Sequence, residues 1–422
     1  MFGTTLTRER PERIWSAGSE ARELFAQYSG AWPGLADALG ELDHGLPVQR
    51  EWSFADDGPF TRPDRHVRAY YLDLPRAGHA QAGVLAVKGT EVRAQNLEDM
   101  VRRLARHWNI YSSSLGGYSR NRWVPDHALL NSLERFPVAE GKAPIGVPLG
   151  EALEEARAAL AVQVAHHARY GAFAHAPFPI GVFRWPASVT AEYRAVVDRF
   201  LDEKAVRIVH AQTEEGFGVY IYHYPVVPHR VSHLRVPDVG HETSFDQRLA
   251  HLAAHGDPAR AVEGWLAFTA RLMCLGFVAT DPANACRGYC VEPQNLVVDG
   301  GVVDMGSLRR MESLTNPVQA RFAIDKTVRT LARSIIYFMV GSEGGTELFG
   351  DRTPDPFRHV WDDIARRVRA EQSAGKPLPA ALARALECRG AYQDLTDLLR
   401  PLYGLRLGLE ADADESDRPG NA

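Results

Sequence analysis

The sequence predicts an α+β protein, with a small antiparallel β-sheet in its first half and a mainly helical second half. Two patterns carry this prediction. Apolar runs rich in β-branched and aromatic residues, divided by turn residues, lie before residue 225. Apolar residues at helical spacing dominate from residue 244 onwards. The 422 residues are 45% hydrophobic and 24% charged, which is typical of a globular chain and excludes a disordered or fibrous one.

The sheet of the first half is predicted to include a hairpin. Residues 66–74 and 82–89 are apolar, β-rich runs separated by a polar turn that contains Pro and Gly, and Lys88 lies at the end of the second run. A helix is predicted over residues 151–171, because acidic residues occupy its first turn and Gly171 ends it. Further strands are predicted over residues 178–185, 206–211 and 217–224.

Domain boundaries follow the change from strand patterns to helix patterns. The predicted regions are an N-terminal helical cap over residues 1–62, a strand-rich region over 63–224, a helical region over 225–410 and an acidic, disordered tail over 411–422. The helices of the third region are predicted over residues 244–256, 258–277, 318–341, 356–372 and 378–404.

Charge and composition exclude several classes of partner. The formal net charge is −5 and the pI is about 6.4, so we expect no nucleic-acid partner and no membrane surface. The N-terminus lacks the apolar core of a secretory signal, which predicts a cytoplasmic protein. Four cysteines are too few to predict a disulfide framework. The excess of Arg over Lys is typical of a GC-rich bacterial genome.

The densest chemical signal lies at residues 288–307, GYCVEPQNLVVDGGVVDMGS. Asn295 begins one predicted strand, a turn follows at 299–301, and Asp304 ends the next strand before Met and Gly. Phosphoryl transfer from ATP needs an Asn and an Asp on adjacent strand ends to hold Mg²⁺ against the phosphates. We therefore predict Asn295 and Asp304 as metal ligands and Asp304 also as a catalytic residue. The alternative is that both residues only bond their own backbone in a turn.

The segments VEPQN and DMG resemble the catalytic loop and the D-F-G segment of the protein-kinase-like superfamily, and VLAVKG resembles its V-A-I-K strand. The resemblance implies a two-lobed fold, with a small antiparallel β-sheet N-lobe and a helical C-lobe, that binds ATP and Mg²⁺. It implies that Lys88 contacts the phosphates and pairs with a helix glutamate; the alternative is a solvated strand-end lysine. The other residues that it assigns to the nucleotide are one of Glu151, Glu154 and Glu155, and Tyr222 and Tyr224 beside the adenine.

Several positions depart from the kinase pattern. Aligning Asn295 with the loop asparagine puts Cys290 where the catalytic aspartate is expected and Gly288 where its histidine is expected. No glycine-rich loop precedes Lys88, and Asp304 follows Asn295 by only nine residues. With the lysine strand, these departures resemble the selenoprotein O group of kinase-like adenylyltransferases.

The general base is open at this point. In that group a carboxylate directly precedes the asparagine, but here the position is Gln294, which cannot take a proton at neutral pH. Glu292 and Asp281 are the nearby carboxylates, and we predict Glu292 as the catalytic one. Phosphoryl transfer depends mostly on positioning and charge neutralisation, so a weak base is compatible with activity.

These residues predict an ATP- and Mg²⁺-dependent transferase that phosphorylates a hydroxyl on a peptide, a protein or a small metabolite. Two alternatives stay open: adenylyl transfer on the same fold, and a catalytically inactive pseudokinase that serves as a binding module. The sequence contains no nucleophile elbow, Walker loop, dinucleotide fingerprint or H-E-x-x-H motif, so hydrolase and nicotinamide-oxidoreductase functions lack support.

Overall fold

The structure is a computed structural model of the chain, which divides into two compact units. The first unit comprises residues 1–112, 139–234 and 302–307, and the second comprises 113–138, 235–301 and 308–422. The residues that the structure describes are 6–49, 60–61, 69–79, 82–99, 101–102, 146–201, 203–231, 234, 236–237, 239, 243–279, 290–293, 295–314, 316–341 and 356–387. Asp281, Gly288, Gln294 and the acidic tail lie outside them.

The first unit combines a seven-stranded sheet, a two-stranded sheet and helices. Its strands are β1 (Leu6–Glu9), β2 (Glu12–Ser16), β3 (Leu46–Gln49), β4 (Phe60–Thr61), β5 (Ala69–Asp73), β6 (Val84–Lys88), β7 (Val147–Pro148), β8 (Phe178–Arg184) and β9 (Phe217–Tyr224). Of these, β1 and β3 form the two-stranded sheet. Its helices are α1 (Ala17–Glu20), α2 (Arg22–Gly30), α3 (Leu35–Asp43), α4 (Leu149–Tyr170), α5 (Ala187–Phe200) and α6 (Glu203–Gln212).

Seven strands form one antiparallel sheet in the order β2-β8-β9-β6-β5-β4, with β7 also paired to β9. The predicted hairpin is confirmed as β5 and β6, and the strands predicted over 178–185 and 217–224 are confirmed as β8 and β9. In the register of β6 with β9, Lys88 lies opposite Tyr220. The α+β class with an antiparallel sheet is therefore confirmed.

Helices cover both faces of this sheet. α4 packs on one face, where a Cβ atom at Gly218 of β9 would lie 2.9 Å from the Cβ of Ala152. On the other face the ring of Tyr28, from α2, stacks on Phe178 of β8 with centroids 3.7 Å apart. Because both faces are covered, every residue of β9 is buried. The predicted end of α4 is also confirmed, since Gly171 has a left-handed φ of 66°.

Two predictions for the first unit differ from the structure. Residues 1–62 contain strands as well as helices, and β2 forms an edge of the seven-stranded sheet by pairing with β8. The strand predicted over 206–211 is wrong, because these residues lie within α6. Val209 and Thr213, four residues apart, are both buried, and the Thr213 hydroxyl donates to the Val209 carbonyl at 2.8 Å. This spacing is typical of a helix, whereas the short apolar run alone fits a strand as well.

The second unit is mainly helical. Its elements are α7 (Phe245–Ala253), α8 (Pro258–Cys274), β10 (Phe277–Val278), β11 (Arg309–Arg310), α9 (Pro317–Val340), α10 (Pro356–Ser373) and α11 (Ala380–Glu387). Side-chain caps start three of these helices: Ser244 forms a capping box on α7, Asp257 accepts from two amides of α8, and Asn316 accepts from Val318 N–H of α9. Each predicted helix of this region is thus present among the described residues, but the one predicted to reach residue 277 ends at Cys274, and Phe277 lies in β10.

The predicted turn at 299–301 packs against α8. The Asp299 carboxylate accepts from Gly301 N–H at 2.9 Å, and Gly300 adopts a φ of 90°. A Cβ atom at Gly264 of α8 would lie 2.7 Å from Gly300, so both glycines are needed for this contact. The Trp265 indole N–H donates to the Val297 carbonyl at 2.9 Å. The two strands predicted on either side of the turn are reduced to isolated bridge residues, so Asp304 does not end a strand.

Candidate functional site

Lys88 is the last residue of β6 and is buried. The four residues before it in the strand are buried too, and only 5% of Lys88 is exposed. A lysine ammonium loses its hydration at such a position, so it requires negatively charged or hydrogen-bonding partners. The strand pattern VLAVK therefore fixes a charge inside the first unit rather than at its surface.

Glu155 supplies the main partner of Lys88. Its side chain, on α4, accepts a hydrogen bond from the Lys88 Nζ at 2.5 Å and is 2% exposed. Ala152, Ala156 and Ala159 share the buried stripe of α4 with Glu155, which directs this carboxylate toward the sheet. Of the three helix acids that the sequence offered, Glu155 is the one paired with Lys88.

Asp304 approaches the same lysine from a loop. Its Oδ2 lies 3.7 Å from the Lys88 Nζ, and its side chain is 20% exposed. Its φ is 63°, the only positive φ of a non-glycine residue among those that the structure describes. Its neighbours Val303 and Met305 are fully buried, which anchors the chain on both sides of the turned aspartate. We call Lys88, Glu155 and Asp304 the Lys88 cluster.

The Lys88 cluster has two carboxylates for one cation. Burial raises the pKa of the Glu155 carboxyl above its ordinary value, the charge of Asp304 raises it further, and Lys88 opposes both effects. When all three groups are ionised, the cluster carries one net negative charge in a largely water-excluded place. An added cation beside the partly exposed Asp304 would lower this repulsion.

Tyr220 is a fourth member of this neighbourhood that the sequence did not single out. It lies opposite Lys88 in the sheet register and is fully buried. Burial raises the pKa of its phenol well above 10, and the charges of Glu155 and Asp304 raise it further. Its ring lies within the aromatic run of β9, where nothing in the sequence separates it from neighbouring core tyrosines.

The remaining residues predicted to contact the nucleotide lie elsewhere in the first unit. Glu151 and Glu154 are half-buried on α4, and Glu151 contributes a small further rise in the pKa of Glu155. Tyr222 is buried with its hydroxyl 3.3 Å from that of Tyr71. Tyr224 is fully buried, with its ring 5.7 Å from the imidazole of His175.

Asn295 and Glu292 belong to the second unit. Asn295 is 4% exposed, and its backbone N–H donates to the Glu292 carbonyl at 2.8 Å. Glu292 is half-buried in the turn that precedes it. Cys290, at the position expected for a catalytic aspartate, is fully buried. The structure thus brings Lys88, Glu155 and Asp304 together, and Asn295 and Glu292 are neighbours within their own unit.

The donor set of the Lys88 cluster fits a hard divalent cation. Magnesium bound together with substrate phosphates takes one or two protein carboxylates, and Asp304 offers one that is partly exposed. Within the part of the chain that the structure describes, no group of three or more His, Cys, Asp or Glu side chains is arranged to hold a metal by itself. No helix in that part is both long and apolar enough to cross a membrane.

In comparisons with known proteins, no family model, curated protein or solved structure matches the chain significantly. The chemistry of the Lys88 cluster therefore has to be judged from its own geometry. A lysine held between a buried carboxylate and a partly exposed one can bind an anionic group, and the partly exposed carboxylate can bind a cation that accompanies that anion.

Proposed function

We propose that the protein is an ATP- and Mg²⁺-dependent transferase of kinase-like fold that phosphorylates a hydroxyl on a peptide, a protein or a small metabolite. The observation that carries the proposal is the buried Lys88–Glu155 pair with Asp304 beside it, at 2.5 and 3.7 Å from the same ammonium. A lysine held by a helix glutamate, next to a metal-binding aspartate, is the arrangement that protein kinases need for catalysis.

The order of the parts along the chain supports the proposal. The lysine strand β6 is followed by the glutamate helix α4, then by strands β8 and β9, and later by Asp304. In this proposal Lys88 contacts the phosphates, Glu155 positions Lys88, and Asp304 holds Mg²⁺. Bound Mg²⁺ would neutralise phosphate charge during transfer. Asn295 as a second metal ligand and Glu292 as the base stay sequence predictions.

The buried ion pair is better explained by binding than by stability. Removing two charges from water costs free energy that their attraction offsets only in part, and a hydrophobic pair of similar size is often as stable. A third charged group, Asp304, is attracted to Lys88 but also repels the charge of Glu155. A cluster that costs free energy in the ligand-free state is expected at a functional site.

A nucleotide-binding module without turnover is the second candidate. It is favoured by Cys290, because a fully buried thiol stands where the kinase pattern has its catalytic aspartate. Both candidates require binding of ATP with Mg²⁺, and they differ in whether a phosphoryl group moves.

Thermal unfolding with ATP, with and without Mg²⁺, tests the shared requirement. Ligand at a hundred times its dissociation constant stabilises the folded state by about 2.7 kcal/mol, which raises the melting temperature measurably. We expect this rise in the native protein and its loss in Asp304→Asn. Asp299→Asn is the matched control, because an Asn oxygen there can still accept from Gly301 N–H.

A melting temperature that does not change with ATP and Mg²⁺ in the native protein would contradict both candidates. Where binding is present, ATP labelled at the γ phosphate separates them: label on an acceptor supports the kinase, and binding without transfer supports the module. Label transferred from the α phosphate instead identifies adenylyl transfer.

A further inference from the structure

The hydroxyl of Tyr220 is buried, and no hydrogen-bond partner for it exists among the residues that the structure describes. An unsatisfied polar group inside a protein is costly, and the few that native proteins retain have a reason. Tyr222, the next residue of β9 on the same face, differs in having a partner for its hydroxyl, which lies 3.3 Å from that of Tyr71. The open donor is thus a property of Tyr220 and not of all tyrosines in β9.

The surroundings of Tyr220 contain the Lys88 cluster. Tyr220 and Lys88 are directly opposed in the antiparallel register, so their side chains share one face of the sheet. That face is the one on which α4 packs, and α4 carries Glu155. Burial first, and then the negative charges of Glu155 and Asp304, disfavour the phenolate, so the hydroxyl can only donate a hydrogen bond toward these carboxylates.

We propose that Tyr220 is a positioning residue for the metal-binding aspartate, its hydroxyl donating a hydrogen bond to the Asp304 carboxylate when that carboxylate binds a divalent cation. The inference rests on the proposed function. Carboxylates that bind metals are themselves oriented by hydrogen bonds from the surrounding protein, and loss of such a bond lowers metal affinity by about 10- to 100-fold. Tyr220 supplies the unused donor on the same face of the sheet as Lys88.

The proposal predicts opposite behaviour with and without ligand. Without metal or nucleotide, Tyr220→Phe removes an unsatisfied polar atom, so its melting temperature equals or exceeds that of the native protein. With metal, the same variant leaves Asp304 without its donor, so affinity falls. A tyrosine hydroxyl that only stabilised the fold would instead lower the melting temperature of the ligand-free protein.

The experiment uses Mn²⁺ as the probe, titrated into the full-length protein with a non-hydrolysable ATP analogue and followed by electron paramagnetic resonance. We expect Mn²⁺ affinity to fall about tenfold in Tyr220→Phe. Tyr193→Phe, at a buried tyrosine on α5, is the matched control and is expected to bind Mn²⁺ as the native protein does. Thermal unfolding of the ligand-free variants is measured in parallel.

Three outcomes would overturn the proposal. Native Mn²⁺ affinity in Tyr220→Phe, together with a loss in Asp304→Asn, overturns the role of Tyr220 and leaves the proposed function standing. A lowered melting temperature of ligand-free Tyr220→Phe shows that the hydroxyl has a structural partner. Absence of Mn²⁺ binding by the native protein overturns this inference and the proposed function together.

Discussion

Lys88 in the first unit and Arg248 in the second are both buried, and they have different kinds of partner. Lys88 contacts the carboxylates of Glu155 and Asp304, which can take up protons or bind metals. Arg248, which is 4% exposed on α7, donates to backbone carbonyls at 2.7 to 3.1 Å. These carbonyls belong to Val236, Pro237, Tyr337 and Phe338.

Arg248 holds two backbone segments together, whereas Lys88 lies among side chains that can take part in chemistry. Two of the carbonyls, those of Tyr337 and Phe338, lie in the last turn of α9, where the helix dipole favours a cation. Backbone carbonyls do not titrate, so the bonds by which Arg248 joins residues 236–237 to α9 do not depend on the protonation of its partners. The partners of Lys88 are carboxylates, which can take up protons or bind cations, as the proposed site requires.

The largest expected effect separates function from stability at Asp304. Asp304→Asn removes the charge that would bind Mg²⁺, so ATP turnover is expected to fall below detection. Stability is expected to stay within about 0.5 kcal/mol of the native value, because Asn tolerates a φ of 63° as well as Asp does. Turnover assays and urea unfolding measure the two quantities; native turnover in the variant would remove Asp304 from the chemistry.

Removing Lys88 tests whether the buried charge of Glu155 is stabilised by Lys88. At pH 8, Lys88→Met is expected to lower the free energy of unfolding by about 3–5 kcal/mol, because a buried carboxylate loses its cation. The double variant Lys88→Met/Glu155→Leu is expected to recover most of this loss, which urea unfolding measures.

The pH dependence of the free energy of unfolding of Lys88→Met tests whether Glu155 is the charge responsible for the loss. The folded-state pKa of Glu155 is raised above the ordinary 4.5, so its folded form binds more protons than its unfolded form. The contribution of the Glu155 carboxyl to stability is therefore fully present below pH 4.5 and is lost as pH rises through the raised folded-state value. A destabilisation that does not change with pH would show that Glu155 is not the buried charge responsible.

Removing Arg248 is expected to damage stability and leave nucleotide affinity unchanged. Arg248→Leu leaves several carbonyls without a donor, and each unsatisfied buried group costs about 1–3 kcal/mol, so we expect a loss of about 3 kcal/mol. Arg207→Leu, at an exposed arginine of α6, is the control and is expected to stay within about 0.5 kcal/mol. A stable Arg248→Leu with impaired ATP binding would reverse the assignment of the two cations.

His223, a buried histidine, is expected to give the smallest of these effects on the free energy of unfolding. Burial lowers the pKa of His223 from 6.5 to about 4. Its Nε2–H donates to the Ala82 carbonyl and its Nδ1 accepts from the Tyr28 hydroxyl, so the neutral ring is fully bonded. The folded state therefore binds fewer protons, and its stability falls as pH drops through 6.5 toward 4.

Between pH 7.5 and pH 5 this linkage amounts to about 2 kcal/mol of unfolding free energy. His223→Gln keeps a donor for Ala82 and an acceptor for Tyr28 but does not titrate. Urea unfolding at the two pH values is expected to give a smaller pH difference for the variant. An identical difference in both proteins would assign the pH dependence to other groups.

The sequence was sufficient for the parts of the site that depend on local pattern. VLAVK predicts a strand that ends in Lys88, and β6 confirms this prediction. Glu155 shares a helical stripe with Ala152, Ala156 and Ala159, and that spacing was the available signal for choosing it among the three acids.

Other features depend on contacts that the sequence does not encode locally. The role of Tyr220 follows from the register of β9 with β6, since a shift of one residue would turn its side chain to the other face. The strand β2 belongs to the sheet through its pairing with β8, about 170 residues away in sequence. α6 was mistaken for a strand because a short apolar run fits both periods.

The central claim is that Lys88 faces the phosphates of a bound nucleotide. An adenosine that carries a lysine-reactive sulfonyl fluoride in place of its phosphates, followed by peptide mass spectrometry, tests it directly, since the chain has only five lysines. The account predicts that Lys88 is modified and that ATP with Mg²⁺ protects it. Modification confined to other lysines, or modification of Lys88 at an equal rate with and without ATP and Mg²⁺, would contradict it.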